Sequence, residues 1–159
     1  GVTCDSFHMT APDEQASGAV RAMRAALTAS GRAIEDIDYI NAHGTATPVN
    51  DVTETRAIRE VFGKRAYAIP VSSTKSMHAH TLGASGALEG VVSLLALSCG
   101  FIPPTIHYGN PDPECDLDYV TGGARSAHLR AVLSNSFAFG GNNTTVIYGK
   151  YEGPGAVHG

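Results

Sequence analysis

Three histidines carry most of the chemistry open to this sequence. His43 lies in Asn41-Ala42-His43-Gly44-Thr45-Ala46-Thr47-Pro48. His78 and His80 lie in Ser73-Thr74-Lys75-Ser76-Met77-His78-Ala79-His80-Thr81-Leu82-Gly83. A third element, Asn135-Ser136-Phe137-Ala138-Phe139-Gly140-Gly141-Asn142-Asn143, adds two aromatic rings and two adjacent glycines. Taken alone, a histidine is more often a structural hydrogen-bonder than a catalyst. His43 and His80, however, both follow segments that read as strands, and both sit in glycine-punctuated turns. α/β proteins assemble sites there, beyond the carboxyl ends of strands, so the two can converge on one cleft. Lys75, in a Ser/Thr-rich turn after a strand, is less ordinary than a surface lysine. Zinc is a competing reading, since three histidines match a hydrolase shell. No His pair or nearby carboxylate has the helical ligand spacing of zinc motifs, so no metal is expected.

Positioning such groups takes a scaffold of alternating elements. Pro12-Asp13-Glu14 opens a predicted helix with acid in its first turn. Its apolar stripe is Val20, Met23, Ala26 and Leu27, and it ends at Ser30-Gly31. Residues 37–40 read as a short strand entering the first histidine motif. Asn50 or Asp51 caps a second helix with the stripe Thr55, Ile58, Val61 and Phe62. Residues 66–72 read as a strand delivering the chain to Lys75. Residues 84–98 form an apolar helix whose near lack of a polar face predicts burial on all sides. Residues 102–108 read as a connector with an edge strand, and 110–116 as a turn-rich loop. Two closing strands, 131–135 and 144–151, are joined by the glycine-rich third motif. The alternation predicts an α/β layered domain with helices on a mixed sheet, without a repeat or a dividing linker.

With 159 residues, 43% hydrophobic and 16% charged, the chain fits one globular domain with a real core. A net charge of -4 leaves no electrostatic footprint for nucleic acid or an anionic membrane surface. Cys4, Cys99 and Cys115 are odd in number and far apart. That argues against a disulfide framework and for a reducing, cytoplasmic setting. No stretch reads as the roughly 18–20 apolar residues of a membrane span. Residues 1–10 lack a signal peptide's basic region and apolar core. They and residues 152–159 read as loose termini, and the abrupt start as a boundary or a cleavage product.

In order and spacing the three motifs resemble the C-terminal half of a 3-oxoacyl-[acyl carrier protein] synthase. That is an elongating, decarboxylating β-ketoacyl synthase of fatty acid or polyketide synthesis. The likeness runs from about Ala11 to Tyr151 and makes 1–159 one C-terminal synthase domain. It implies a thiolase-like layered fold, with a mixed five-stranded sheet and helices on both faces. It implies that His43 and His80 donate hydrogen bonds to the thioester oxygen of malonyl-carrier as carbon dioxide leaves, the logic of an oxyanion hole. Lys75 would hold the second histidine and add positive charge, with Glu54 as its ion partner. Thr45 and Thr47 would touch the pantetheine arm, unless they only cap the local turn. Phe139 would gate the nucleophile and lend its N–H to the acyl intermediate. Phe137, Gly140 and Gly141 would contact substrate, the glycines letting the loop backbone approach it closely; on pattern alone Phe137 and Phe139 read as strand-end core residues.

The implied substrates ride on the phosphopantetheine of an acyl carrier protein, with no other cofactor. The implied partners are the N-terminal half bearing the nucleophilic cysteine, the carrier, and a second copy in a homodimer, with neither nucleic acid nor membrane. None of the three cysteines matches the nucleophile. Cys99 ends an apolar helix, Cys115 lies between Glu114 and Asp116, and Cys4 lies on the terminus. The chain alone is therefore expected to be inactive. Departures from the pattern are Ala79 and Ala138 for usual glycines, His78 as an unusual neighbour of the second histidine, and Asn142 for a commoner Thr or His. The alternative to an enzyme is a non-catalytic partner of the same fold that grips carrier or sets chain length.

Overall fold

Alternating apolar residues in short strands set the centre of the molecule. The structure is a computed structural model and describes residues 1–8 and 13–151. In chain order the elements are β1 (Val2–Cys4), α1 (Ser17–Ser30), β2 (Tyr39–Asn41), α2 (Asn50–Phe62), β3 (Val71–Ser72) and the single-turn α3 (Lys75–His78). There follow α4 (Ser85–Cys99), β4 (Phe101–Ile102), β5 (Arg125–Ser126), β6 (Ala131–Ala138) and β7 (Asn142–Gly149). Five strands form one sheet in the order β1-β7-β6-β2-β3, while β4 pairs with β5 apart from it. β2 runs parallel to β3 and β6, and β7 runs antiparallel to β6 and β1. Successive side chains point to opposite faces. Ile40, Ala131 and Leu133 therefore join Met23 of α1 and Ile58 of α2 in one core. Tyr39 and Val132 pack with Ala96 and Leu97 of α4 in the other. Helices thus cover both faces of a mixed sheet, as the resemblance implied.

Several boundaries differ from expectation for local reasons. The α1 stripe of Val20, Met23, Ala26 and Leu27 is buried, and Gly31 ends the helix with φ 65°. The helix starts at Ser17 because the Asp13 carboxylate accepts the N–H groups of Gln15 (3.0 Å) and Ser17 (3.2 Å). Such side-chain capture competes with helix formation. Pro12 lies outside the described residues. The strand expected over 66–72 shrinks to β3, since Gly63–Ala68 winds into a 3₁₀ helix. Pro70 has no N–H for a ladder. The expected loose N-terminus is corrected at Val2–Cys4, which pairs with Asn142–Thr144 of β7. Residues 9–12 and 152–159 lie outside the described residues.

The largest correction concerns α4, which is not buried on all sides. It buries Ser85, Glu89 and Ser93 and leaves Leu88, Val91, Leu94 and Leu95 between 41% and 55% exposed. Two contacts turn the polar side inward. Glu89 forms a buried ion pair with Lys75, and Gly90 lets Tyr148 approach so closely that a Cβ there would lie 2.6 Å from its hydroxyl. Leu82–Cys99 also reaches 18 residues at a mean hydropathy of 1.6, so one stretch does have the length and composition of a span, contrary to the sequence reading. Its one charged side chain, Glu89, is turned against the sheet, the arrangement of a core-facing helix.

Candidate functional site

β2 ends at Asn41, and the chain swings through His43 to Gly44, whose φ is 42°. A side chain at Gly44 would collide with Ser73, whose hydroxyl donates to the Gly44 carbonyl at 2.6 Å. Glu54 of α2 anchors this turn. Its carboxylate accepts the N–H groups of His43 and Gly44, both at 2.9 Å, and the Asn135 amide at 3.1 Å. Burial pushes the Glu54 carboxyl above its ordinary range, although these donors oppose the shift. Thr145 donates to the Asn135 carbonyl oxygen at 2.8 Å, tying β7 into the same network.

Glu54 is therefore not the partner of Lys75, and that expectation is corrected. Its oxygens are taken by amides, and α2 packs on the sheet face opposite α4. Lys75 pairs with Glu89 instead, both side chains almost wholly buried. Burial raises the Glu89 carboxyl, with Lys75 opposing. The sequence reading missed Glu89, yet the signal was there. A single acid in an otherwise apolar helix must find a buried partner.

α3 ends at His78, and Ala79 leads from it into His80. The His80 Nδ1 accepts the Leu82 N–H at 3.2 Å. A backbone amide can only donate, so the neutral ring carries its proton on Nε2. The Ser85 hydroxyl lies 2.9 Å from the same Nδ1 and reinforces the tautomer. The buried His43 Nδ1 has no partner among the described residues. The two rings stand edge to face, 5.5 Å between centroids and 85° between planes. Burial, followed by the charges of Lys75 and His80, holds the His43 pKa down to about 3. Burial and Lys75 also lower that of His80. At neutral pH both rings are thus uncharged hydrogen-bond donors.

The third motif meets this pair through Phe137, whose ring centroid is 5.5 Å from that of His43. Phe139 is 74% exposed at the start of the Phe139–Gly141 turn. Gly140 and Gly141 have φ 78° and 74°, and a Cβ on Gly141 would lie 2.9 Å from that of Asp5. The Cys4 thiol donates to the Gly140 carbonyl at 3.3 Å and the Asp5 N–H to that of Gly141 at 2.8 Å. Thr45 and Thr47 bond to each other at 2.9 Å. They also line a cleft of about 740 Å³, together with Lys75, His80, Thr105 and Tyr119. Cys115 lines it too, but burial and the nearby Asp112 and Asp51 push its thiol up, the reverse of what a nucleophile needs. Cys99 is exposed at the end of α4. Among the described residues no group of three His, Cys, Asp or Glu side chains is placed to hold a metal ion.

Comparison with known proteins gives a consistent picture. The family profile described as "Beta-ketoacyl synthase, C-terminal domain" matches residues 1–109. The 3-oxoacyl-[acyl-carrier-protein] synthase 2 of Synechocystis sp. (strain ATCC 27184 / PCC 6803 / Kazusa) is 54% identical over 151 residues, covering 95% of this chain. Two solved structures are similar over 95% of the chain. The ishigamide ketosynthase/chain length factor has a TM-score of 0.90 at 44% identity, covering 36% of that chain. A type II polyketide synthase acyl-carrier protein in complex with its ketosynthase bound to the hexaketide has 0.92 at 33% identity, covering 37%. This chain spans 36% of the length of the Synechocystis synthase.

Proposed function

Because the chain belongs to the family of β-ketoacyl synthase C-terminal domains, we propose that it forms the decarboxylating side of a condensing active site. One observation carries this reading: the imidazoles of His43 and His80 stand edge to face, 5.5 Å between centroids, and His80 holds its proton on Nε2. A malonyl thioester, carried on the phosphopantetheine of an acyl carrier protein, enters along the cleft past Thr45 and Thr47. The His80 Nε2–H and the ring N–H of His43 donate to its thioester oxygen. The bond to the carboxylate carbon breaks, carbon dioxide leaves, and the electron pair remains as an enolate. Charge developing on the enolate oxygen meets donors fixed in advance, each worth roughly 100–1,000-fold in rate. The enolate carbon then attacks an acyl thioester on a cysteine of the N-terminal half. A carbon–carbon bond forms and the cysteine sulfur departs.

Lys75, held by Glu89, places positive charge near both rings, as its effect on their pKa values indicates. That charge favours the malonyl carboxylate before it is lost. Glu54 fixes the backbone of His43. Phe139 gates the acyl site from a turn that Gly140 and Gly141 make possible, and Phe137 packs on His43. The enzyme is an elongating acyltransferase of fatty acid or polyketide synthesis, cytoplasmic and homodimeric. It needs no metal, and residues 1–159 act as one domain of it. The N-terminal half covers the exposed face of α4.

The test is the decarboxylation of malonyl-carrier by the intact synthase. His80→Ala should lower kcat at least about 100-fold, with carrier binding unchanged. Decarboxylation that survives this substitution would overturn the reading and favour a carrier-gripping partner without catalysis.

A further inference from the structure

The residue just before His80 is held in a costly conformation. Ala79 has φ 66° and ψ 173°, a region that is essentially glycine's own. A strained turn in front of a donor that must point accurately needs support, and the neighbouring ring supplies it. The His78 Nδ1 lies 3.0 Å from the Ala79 carbonyl oxygen. The carbonyl can only accept, so Nδ1 carries the proton. His78 Nε2 is then the acceptor, and the Thr74 hydroxyl donates to it at 3.2 Å. That hydroxyl oxygen in turn accepts the Asn41 amide N–H at 3.4 Å. All donors point one way, from Asn41 through Thr74 and His78 to the Ala79 carbonyl. The line begins two residues before His43 and ends one residue before His80. Asn41 and Thr74 are fully buried, so its inner end is rigidly placed.

We propose that His78 is a positioning residue: it braces the Ala79 turn against β2 and so fixes where His80 presents its Nε2–H relative to His43. This rests on the reading of His80 as an oxyanion donor. His78 and Ala79 act as one unit. The alanine creates the strain, and the histidine holds the turn in spite of it. A glycine at position 79 would adopt the same backbone without help.

The experiment compares variants of the intact synthase, at equal content of folded protein, by kcat and KM for malonyl-carrier decarboxylation. Misplacing a catalytic group by about 1 Å costs as much as 100-fold, so His78→Ala is expected to lower kcat about 10-fold. KM should stay within about 2-fold, because the cleft contacts assigned to the pantetheine arm lie at Thr45 and Thr47. His78→Asn, whose amide N–H can replace Nδ1–H toward the Ala79 carbonyl, should keep most of the rate. Adding Ala79→Gly to His78→Ala should restore most of what was lost. Unchanged kcat in His78→Ala, or a loss that glycine at 79 does not recover, overturns the proposal. If His80→Ala leaves decarboxylation intact, the functional reading fails by itself. The brace is then judged by the ¹⁵N shifts of the His80 ring, which should move in His78→Ala and return with Ala79→Gly; shifts that stay put in His78→Ala overturn it.

Discussion

Replacing His43 by asparagine should make the fold more tolerant of mild acid, even though it removes a ring from the interior. His43 is only 7% exposed, and burial, with Lys75 and His80 behind it, holds its pKa down to about 3. In the unfolded chain the same ring titrates near 6.5. Between those values the unfolded state binds a proton that the fold refuses, so stability must rise with pH across that window. The contribution is complete above about pH 6.5 and is lost progressively as pH falls toward 3. From pH 7 to pH 5 the loss from this one group is about 2 kcal/mol, set almost entirely by the unfolded value. Glu54 and Glu89, whose carboxyls are raised, work in the opposite sense. His43 touches Glu54 only through its backbone N–H, which asparagine keeps, and is not among the causes of the Glu89 shift, so their effect cancels between wild type and variant. Urea unfolding of both proteins at pH 7 and pH 5 measures the difference. With a slope of about 2 kcal/mol per molar urea, the wild-type midpoint should fall about 1 M further than that of His43→Asn. Equal falls in the two proteins would show that His43 is protonated in the fold, and the neutral-donor argument would collapse with it.

Two further outcomes follow from the buried pair and the exposed helix face. Lys75→Met strands Glu89 in the interior and should cost about 3–5 kcal/mol, whereas Lys75→Met with Glu89→Leu should recover most of it; thermal unfolding of the two variants decides. Leu94→Glu alters a side chain that is 50% exposed and should change the stability of the domain by less than about 0.5 kcal/mol. The same change should abolish the proposed association with an N-terminal half in sedimentation velocity, and intact association would remove α4 from that interface.

Residues whose roles are local were legible in the sequence. The α1 stripe and its Gly31 end follow from helical period and from a glycine that alone reaches φ 65° comfortably. His43 and His80 were marked by strand ends and glycine turns, and the fold brings their rings together. What escaped depends on which face of the sheet an element takes. The choice between Glu54 and Glu89 as the partner of Lys75 cannot be read from spacing, because both acids lie on helices that follow strands. It is settled by α2 and α4 packing on opposite faces. The orientation of α4 escaped for a related reason. Hydrophobicity reads outward polarity, and here the polar residues face inward, drawn by Lys75 and by the close approach of Tyr148. The start of α1 was lost to Asp13, whose carboxylate captures amides that a helix would have used.

The inverted helix also ties packing to chemistry. Leu88, Val91, Leu94 and Leu95 fall at helical spacing on one stripe, opposite Glu89 and Ser93. Lys75, His80 and Ser85 cluster at the N-terminal end of the same helix. A surface that seals the leucine stripe would therefore also close off solvent beside the imidazoles. Donors and a fixed cation act more strongly on a developing enolate once water is excluded, because the local dielectric falls. In the proposed assembly the half that brings the nucleophile thus also dries the donors. Under that proposal the need for both halves is electrostatic as well as chemical. His43, already buried and unprotonated, is prepared for that dry state within this domain. His80, exposed and hydrogen-bonded to Leu82 and Ser85, gains the most from being covered.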